Sequence, residues 1–177
     1  MNNERGIYGN RVGTLTDLWV VYNRVTNNSW GGMVLFNSQN GHIGANLFCQ
    51  NGMYGISLSN SLFNTISINS FTSDTNGIVF YSPSDSNWTY YNSFCYNYNG
   101  ILVYSGVGNT VQDSNFIENK NLQAWDGDRN YWEINFWSGH GCSTPFILNP
   151  STGVKDNDPL CRPTRSAPRC DCGVDGP

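Results

Sequence analysis

The fold of this chain is decided by the segment from Asn64 to Phe80, which reads NTISINSFTSDTNGIVF. Its features recur along the chain at intervals of 22 or 23 residues, and the apolar column that marks them is Val20, Ile43, Ile66, Thr89 and Val111. Three residues after these stand Asn23, Asn46, Asn69, Asn92 and Ser114, and five residues after them stand Val25, Phe48, Phe71, Phe94 and Phe116. Glycine-apolar pairs follow at Gly32-Met33, Gly55-Ile56, Gly77-Ile78 and Gly100-Ile101. An internal repeat of this length indicates a stack of similar structural units.

A 23-residue unit is too short for a strand-helix-strand crossover, but it matches one coil of two or three short parallel strands. We therefore predict an all-β fold, a right-handed single-stranded parallel β-helix of about five 23-residue coils over residues 17–119. Coils stack about 4.8 Å apart, so one asparagine column becomes a ladder of side-chain amides: Asn23, Asn46, Asn69 and Asn92. Glycines are expected to supply the positive φ of the corners. The predicted domains are a β-helix over residues 1–119 and an irregular cap or tail, containing Cys and Trp, packed on the helix over residues 120–177.

The composition excludes two classes of partner. Charged residues make up only 12% of the chain, and the net charge is −4. Nucleic acid requires a basic face, and anionic membranes are disfavoured for the same reason. No apolar run reaches the roughly 18 residues of a membrane span, and the residues after Met1 lack the apolar core of a signal peptide. We expect no nucleic acid partner and no membrane insertion, in a chain that is a trimmed mature form or a fragment.

The six cysteines favour an oxidising compartment with disulfides, and they are Cys49, Cys95, Cys142, Cys161, Cys170 and Cys172. Cys49 and Cys95 occupy equivalent positions two coils apart, about 9.6 Å, beyond the roughly 7 Å limit for bridged Cα atoms. They should not bond to each other. Either both are free, or each pairs with a tail cysteine and fixes the tail along the helix. Two sequons, at Asn27 and Asn87, are candidate glycosylation sites.

The unit from Asn64 to Phe80 resembles the parallel β-helix repeat of NosD-like and pectate-lyase-like proteins. Four tail segments are similar, in order, to the closing segment of NosD-like surface proteins, many of them archaeal, and they span residues 124–126, 130–132, 143–146 and 155–160. The resemblance implies an extracytoplasmic right-handed β-helix. The group contains enzymes, a maturation factor for a copper site and many surface proteins without assigned activity, so the function has to be argued from a site.

A carbohydrate-active enzyme on this scaffold needs charged groups that the coils lack. Polyuronate lyases and epimerases require a cation and a base, yet no Lys or Arg occurs between Val25 and Asn119. His42 is the only imidazole of the coils, and a lone turn histidine is more often a surface residue than a base. Hydrolases require paired carboxylates, whereas the register assigns the acids to different corners: Asp74, Asp85, Asp113 and Glu118. We predict no catalytic residue; paired carboxylates or an arginine beside one pocket would favour the enzyme.

One tail segment has the spacing of a calcium loop. Asp126, Asp128 and Asn130 supply oxygen atoms at alternate positions, but the twelfth position is Trp137 rather than Glu. The alternative, which we favour, is a polar turn. Calcium is the one candidate cofactor, and no other is predicted.

In three of the coils, one outward-facing residue of the second strand is expected to be apolar. These residues are Val34, Val79 and Leu102. Outward apolar residues in a row indicate a contact stripe, buried by the tail or by another subunit. The tail residues proposed to cover it are Trp125, Trp132 and Trp137. The alternative is that Val is tolerated on an exposed strand.

The predicted function is that of a non-catalytic extracellular or cell-surface protein. Its role is structural, in a fibre or surface assembly, or it contacts neutral glycan through exposed Tyr and Trp rings. The alternative is a polysaccharide lyase, epimerase or hydrolase. Because only the C-terminal end has a predicted cap, while Gly6-Ile7-Tyr8 already resembles a coil strand, we expect end-to-end or lateral self-association, including filaments.

Overall fold

The computed structural model describes residues 5–9 and 13–172 of the 177-residue chain. In this part of the chain the regular structure is β-strand, and no helix could cross a membrane. The strands are β1 (Arg5–Gly9), β2 (Leu15–Thr16), β3 (Trp19–Val21), β4 (Arg24–Thr26), β5 (Gly31–Phe36), β6 (Ser38–Gln39), β7 (His42–Gly44), β8 (Leu47–Cys49), β9 (Tyr54–Ser59), β10 (Thr65–Ser67), β11 (Ser70–Thr72), β12 (Asn76–Tyr81), β13 (Trp88–Tyr90), β14 (Ser93–Cys95), β15 (Asn99–Val103), β16 (Thr110–Gln112), β17 (Asn115–Ile117), β18 (Leu122–Asp126), β19 (Tyr131–Glu133), β20 (Phe136–Trp137), β21 (Phe146–Asn149) and β22 (Val154–Asp156). The predicted β-helix domain includes residues 1–4 and 10–12, and the predicted tail includes residues 173–177. These residues lie outside the described part of the chain.

Three parallel sheets form the sides of a solenoid. Sheet 1 contains β1, β5, β9, β12, β15 and β18; sheet 2 contains β3, β7, β10, β13, β16 and β19; sheet 3 contains β4, β8, β11, β14, β17 and β20. Each strand pairs in parallel with its copy one coil further on, so that Ile66 of sheet 2 lies between Ile43 and Thr89. The predicted parallel β-helix is confirmed.

The described sheets have six strands each, one coil more than the five or so predicted. The sixth coil consists of β18, β19 and β20, where the interval to the preceding coil shortens to 21 residues in sheets 2 and 3. Trp132 continues the column of Val111, and Trp137 continues that of Phe116. The shorter interval and the change to Trp hide this coil from a search for a 23-residue repeat.

Equivalent side chains stack along the solenoid to form its core. Phe48, Phe71, Phe94 and Phe116 stack face to face, with ring centroids 5.1, 4.9 and 4.8 Å apart. Trp137 extends this stack, 4.3 Å from Phe116. Because parallel strands repeat at about this distance, one aromatic residue per coil fills the core without gaps.

Ladders of side-chain amides hold the corners. Asn69 is fully buried, and its backbone N–H and its Nδ2 donate to Oδ1 of Asn92 at 2.8 and 3.1 Å. Its Nδ2 also donates to the carbonyl of Ile43 at 2.9 Å. The ladder runs through Asn23, Asn46, Asn69, Asn92, Ser114, Asn135 and Asp156. These amides satisfy backbone groups that the bends would otherwise leave unpaired.

The prediction that glycines supply the positive φ of the corners is wrong. The residues before the ladder asparagines have this conformation, as in Ile68 with φ 57° and Tyr91 with φ 53°. The repeated glycines lie where coils approach closely instead. A Cβ on Gly77 would be 2.6 Å from the carbonyl oxygen of Gly100 and 2.6 Å from the ring of Phe94. Glycine is therefore required there by the space between coils.

An antiparallel hairpin of β21 and β22 covers the last coil. Phe146 of the hairpin stacks on Trp137 with ring centroids 4.1 Å apart. Asp156 ends the first asparagine ladder by accepting hydrogen bonds from the backbone N–H and Nδ2 of Asn135. The hairpin thus continues both the core and a corner, which protects the strand edges at this end.

After the hairpin, the tail runs back along the outer side of sheet 3. The three disulfides are Cys142–Cys161 within the cap, Cys95–Cys170 and Cys49–Cys172. The prediction of disulfides is confirmed, and no cysteine is free. Of the two alternatives for the coil cysteines, the one in which each pairs with a tail cysteine is correct. The tail is therefore fixed to the second and fourth coils.

Candidate functional site

The outer face of sheet 2 carries a column of exposed aromatic rings. Residues on either side of the buried Ile66 column point outward because side chains alternate along a strand. The register places in one outward column Trp19, His42, Thr65, Trp88, Thr110 and Tyr131. The exposed fraction is 71% for Trp19, 50% for Trp88 and 66% for Tyr131. Large rings left open to solvent on one rigid face indicate a binding surface.

The rings are spaced along the solenoid axis and oriented by their neighbours. At about 4.8 Å per coil, Trp19 and Trp88 lie roughly 14 Å apart, and Trp88 and Tyr131 lie roughly 10 Å apart. The ring of Trp19 packs against His42 at 4.9 Å, and that of Trp88 packs against Tyr90 at 5.5 Å. His42 therefore lies in a strand rather than a turn, and it supports a neighbouring ring.

The second outward column of sheet 2 has no charge over most of its length. It consists of Val21, Gly44, Ser67, Tyr90, Gln112 and Glu133. Going from the first coil to the sixth, no Asp, Glu, Lys or Arg occurs in either column before Glu133. We refer to the two columns together as the sheet 2 face. Hydroxyl, amide and small side chains lie between its rings, and they can bind polar groups of an uncharged ligand.

Charged residues gather where the sheet 2 face meets the hairpin. A cleft of about 460 Å³, here called the cap cleft, lies at this point. Its charged lining residues are Arg129, Glu133, Lys155 and Asp158, and Tyr131 also lines it. Carboxylates and cations beside one cleft are groups from which acid-base chemistry is built.

The predicted contact stripe lies on the outer face of sheet 1, where it is already buried. Val34, Val79 and Leu102 are 2%, 0% and 6% exposed. The partly or fully buried rings that pack against them are Trp30, Phe36, Tyr54, Tyr81 and Trp125. The expectation that Trp132 and Trp137 cover the stripe is wrong, because both rings enter the core. Burial of the stripe therefore requires no second subunit.

The candidate calcium residues form a hydrogen-bonded turn instead of a metal site. Asp126 is fully buried, and its carboxylate accepts hydrogen bonds from the N–H groups of Asp128 and Asn130, from Nδ2 of Asn130 and from the indole of Trp132. Side-chain oxygens of Asp128 and Asn130 accept hydrogen bonds from the preceding coil. This arrangement is that of a polar turn, the favoured alternative, because oxygens occupied by protein donors leave little capacity for a cation.

Only one of the two sequons presents its asparagine to solvent. Asn27 is exposed and stays a candidate for glycosylation. Asn87 is 1% exposed, and its Nδ2 donates to Oδ1 of Asn109 at 3.0 Å and to the carbonyl of Ser61 at 2.9 Å. The prediction for Asn87 is wrong, because the nitrogen that would carry a glycan belongs to a second buried ladder.

The carboxyl groups of the coils form no catalytic pair. Asp85 and Asp113 lie at separate corners, while Asp74 and Glu118 share a corner but belong to coils about 9.6 Å apart. Asp74 is buried in a third ladder, and burial raises its pKa to about 8 although hydrogen bonds from Asn51 lower it. Its side chain is only 3% exposed, and Oδ1 accepts the backbone N–H of Asn51 at 2.7 Å.

The predicted site residues do not include the aromatic column, although its position could have been recognised in the sequence. Trp19 and Trp88 each stand one position before a member of the apolar column, and this position is outward on a strand. The cap cleft had no such signal, since β21 and β22 lie outside the repeat.

Comparison with known protein families identifies a match over most of the chain. The family model described as "Periplasmic copper-binding protein (NosD)" matches residues 1–142, which include all six coils. No curated protein and no solved structure matches the chain.

The described residues do not fit a copper site. Copper in proteins is bound by imidazole, thiolate and thioether groups. The cysteines are all in disulfides, and Met33 is buried in the core. Met53 is 43% exposed, but it precedes β9 of sheet 1, whereas His42 lies in β7 of sheet 2. His42 lies on the second coil, whereas His140 follows the sixth and contacts the carbonyl of Thr144. Within residues 5–9 and 13–172, no group of three His, Cys, Asp or Glu side chains is placed to hold a metal.

Proposed function

Because the chain belongs to the NosD family of parallel β-helix proteins, we propose that it is a non-catalytic protein that binds neutral glycan along the sheet 2 face. The observation that carries this proposal is the alignment of Trp19, Trp88 and Tyr131 in one exposed column of a face on which Glu133 is the one Asp, Glu, Lys or Arg residue. The three disulfides and the periplasmic description of the family support a compartment outside the cytosol. Within it, we propose display at the cell surface, where glycans are available as ligands.

The geometry of the face suits a linear glycan that lies along the solenoid axis. Aromatic rings stack on the apolar faces of sugar rings, and each contact contributes on the order of 1 kcal/mol. The coil spacing of about 4.8 Å is close to the length of one sugar unit, so each coil offers its outward residues to one unit. Thr65 and Gln112, which are partly exposed, then supply hydrogen bonds to hydroxyl groups between the aromatic contacts.

A glycan array followed by titration calorimetry of the oxidised chain tests this proposal. We expect neutral polysaccharides to bind, and Trp88→Ala or Trp19→Ala to weaken binding about five-fold, as loss of roughly 1 kcal/mol requires. The matched control is Tyr104→Ala, because this ring is 52% exposed but lies at the end of a sheet 1 strand. Retention of full affinity by Trp19→Ala and Trp88→Ala, or binding of no glycan, would refute the proposal.

The cap cleft favours a second candidate function, cleavage of the bound glycan. It adjoins Tyr131, the last ring of the column, and contains Glu133 and Asp158 together with two cations. Incubation with each bound polysaccharide, followed by measurement of reducing ends and of unsaturated uronate products, separates the two functions. A non-catalytic protein releases neither product. Release by the wild type that is lost in Glu133→Gln would establish an enzyme.

A further inference from the structure

Positive charge is concentrated on the side of the solenoid that the tail covers. Of the nine Lys and Arg residues of the chain, four lie on sheet 3 or on the tail along it: Arg24, Arg162, Arg165 and Arg169. Asp171 is the one acid between Pro159 and Cys172, and the strands of sheet 3 contain none. In a chain with a net charge of −4, this side stands out as basic.

A cleft of about 570 Å³, here called the tail cleft, lies between the tail and sheet 3. Arg165 and Arg169 both line it, and no carboxylate does. Its other walls come from the tail and from Asn115 and Ile117 of β17. The cap cleft differs, because its two cations are matched by two carboxylates. Two guanidinium groups without a balancing acid favour the binding of an anion.

The backbone that carries the two arginines is fixed on sheet 3. Nδ2 of Asn115 donates to the carbonyl of Thr164 at 3.1 Å, and Oδ1 of Asn115 accepts the N–H of Thr164 at 2.8 Å. Further along the tail, the disulfide Cys95–Cys170 holds the chain beside the second arginine. A tail fixed before the ligand arrives loses little conformational entropy on binding.

We propose that the tail cleft binds a carboxylate or sulfate group of an acidic glycan. A guanidinium group presents a planar fork of N–H donors that pairs with two oxygens of such a group. The apolar parts of the cleft, Ile117, Pro163, Ala167 and Pro168, offer surface to the sugar ring. Sheet 3 is a different side of the solenoid from the sheet 2 face, so this site goes beyond the neutral glycan proposed above and does not depend on it.

Titration calorimetry of the full oxidised chain with three probes tests this site: an oligouronate, a sulfated oligosaccharide and a neutral oligosaccharide of the same length. We expect the two acidic probes to bind more weakly as salt is raised, because the contacts are ionic. Arg165→Gln and Arg169→Gln should each weaken binding roughly ten-fold or more. Lys120→Gln, an exposed cation that lines neither the cap cleft nor the tail cleft, is the control and should change nothing.

Two further measurements separate the possible failures. Trp88→Ala should bind the acidic probes with unchanged affinity, because Trp88 lies on the sheet 2 face. Failure of the neutral glycan proposal would therefore not contradict the tail-cleft proposal. Inorganic sulfate that binds as tightly as the oligosaccharides would overturn the assignment to a glycan. Unchanged acidic binding by the Arg165→Gln, Arg169→Gln double variant, with an unchanged unfolding midpoint, would overturn the site itself.

Discussion

Asp74 is an acid at a position built for an amide. A Cβ on Gly32 would lie 3.0 Å from Nδ2 of Asn51, and a Cβ on Gly55, one coil further on, would lie 2.9 Å from Oδ2 of Asp74. Oδ2 therefore takes the place of the amide nitrogen, and it is buried without a hydrogen-bond partner. In Asn97, as in Asn51, that nitrogen donates to a carbonyl of the preceding coil. Only a protonated carboxyl group can donate there, in agreement with the pKa of Asp74 that burial raises to about 8.

We predict that Asp74 makes the folded state less stable as the pH rises from about 4 to about 8. Its pKa rises from an ordinary 3.8 to about 8 on folding, so in this window the folded chain keeps a proton that the unfolded chain has lost. The stabilisation from protonated Asp74 is complete below the unfolded-state pKa and is lost as the pH rises through the folded-state pKa. Between the two pKa values the free energy of unfolding falls by up to about 1.4 kcal/mol per pH unit.

Urea unfolding at pH 5 and pH 8 measures this effect. Asp74→Asn supplies a donor at every pH, so this variant should lack the Asp74 component and exceed the wild type in stability at pH 8. Asp158→Asn, an exposed carboxylate, is the control. Parallel pH profiles of wild type and Asp74→Asn would contradict the prediction.

Asn69→Ala should lower the free energy of unfolding by about 1–3 kcal/mol, because Asn46 and Asn92 each lose a buried partner. The control is Asn121→Ala, since this exposed amide bonds only to Oδ1 of Asn99. Urea unfolding compares the two variants. An equal loss in both would show that burial of the ladder contributes nothing.

At the scale of residues, identical side chains repeated once per coil were readable from the sequence, and single departures were not. The positions of Asn46, Asn69 and Asn92 follow from the repeat alone. Asp74 breaks the identity of its column while keeping the shape of an amide, so the sequence does not reveal it as a ladder member. At Asn87 the local Asn-x-Thr pattern carries no information on burial, and this is why it read as a sequon.

The tail is the element whose position depends most on covalent bonds. Cys95–Cys170 and Cys49–Cys172 join it to sheet 3. We predict that removing both, by changing these four cysteines to Ser, exposes the tail to trypsin at Arg165 and Arg169 while the coils keep their strand content. The physical reason is that few hydrogen bonds remain to hold an irregular segment.

Limited proteolysis with mass spectrometry measures the exposure of the tail to trypsin. Far-ultraviolet circular dichroism measures the strand content of the coils. The control is Cys142→Ser with Cys161→Ser, which leaves the tail fixed to sheet 3. A tail of the four-cysteine variant that resists trypsin as long as the wild type would show that its noncovalent contacts suffice.

At the scale of elements, the coils were predictable because each strand is repeated at nearly constant spacing, with inward and outward residues alternating. The tail was not, because the pairing of Cys49 and Cys95 depends on its path in space. The spacing of the two coil cysteines excluded one bond and left two alternatives. The sixth coil was only partly predictable. Trp132 and Trp137 keep the alternation of inward residues, but the interval to the preceding coil is shorter.

At the scale of the whole molecule, the two ends of the solenoid differ. The hairpin of β21 and β22 covers the sixth coil at one end. At the other end, β1, β3 and β4 are the terminal strands of the three sheets in the part of the chain that the structure describes. A terminal strand directs backbone donors and acceptors toward the next position in its sheet, where another chain can pair.

We predict that copies of this protein associate through the end formed by β1, β3 and β4. A head-to-tail contact would place this end on the hairpin of the next copy, and such a contact does not close, so it generates a filament. A contact between like ends closes at two copies. Since the hairpin already continues the core and a corner ladder, we expect the like-end dimer to form first and filaments to need higher concentration.

Sedimentation velocity over a concentration series, with electron microscopy at its upper end, distinguishes these assemblies. Val21→Lys puts a charge on the outer side of terminal strand β3, where two like ends bring it close to its copy, so this variant should shift the equilibrium to monomer at low salt. Gln112→Lys, on the same face but four coils away, should not. Association requires the end strands to be accessible, and a wild type that stays monomeric at every concentration would mean that they are not. Filaments without a dimer would instead make the hairpin the partner surface and favour a structural role in a surface assembly.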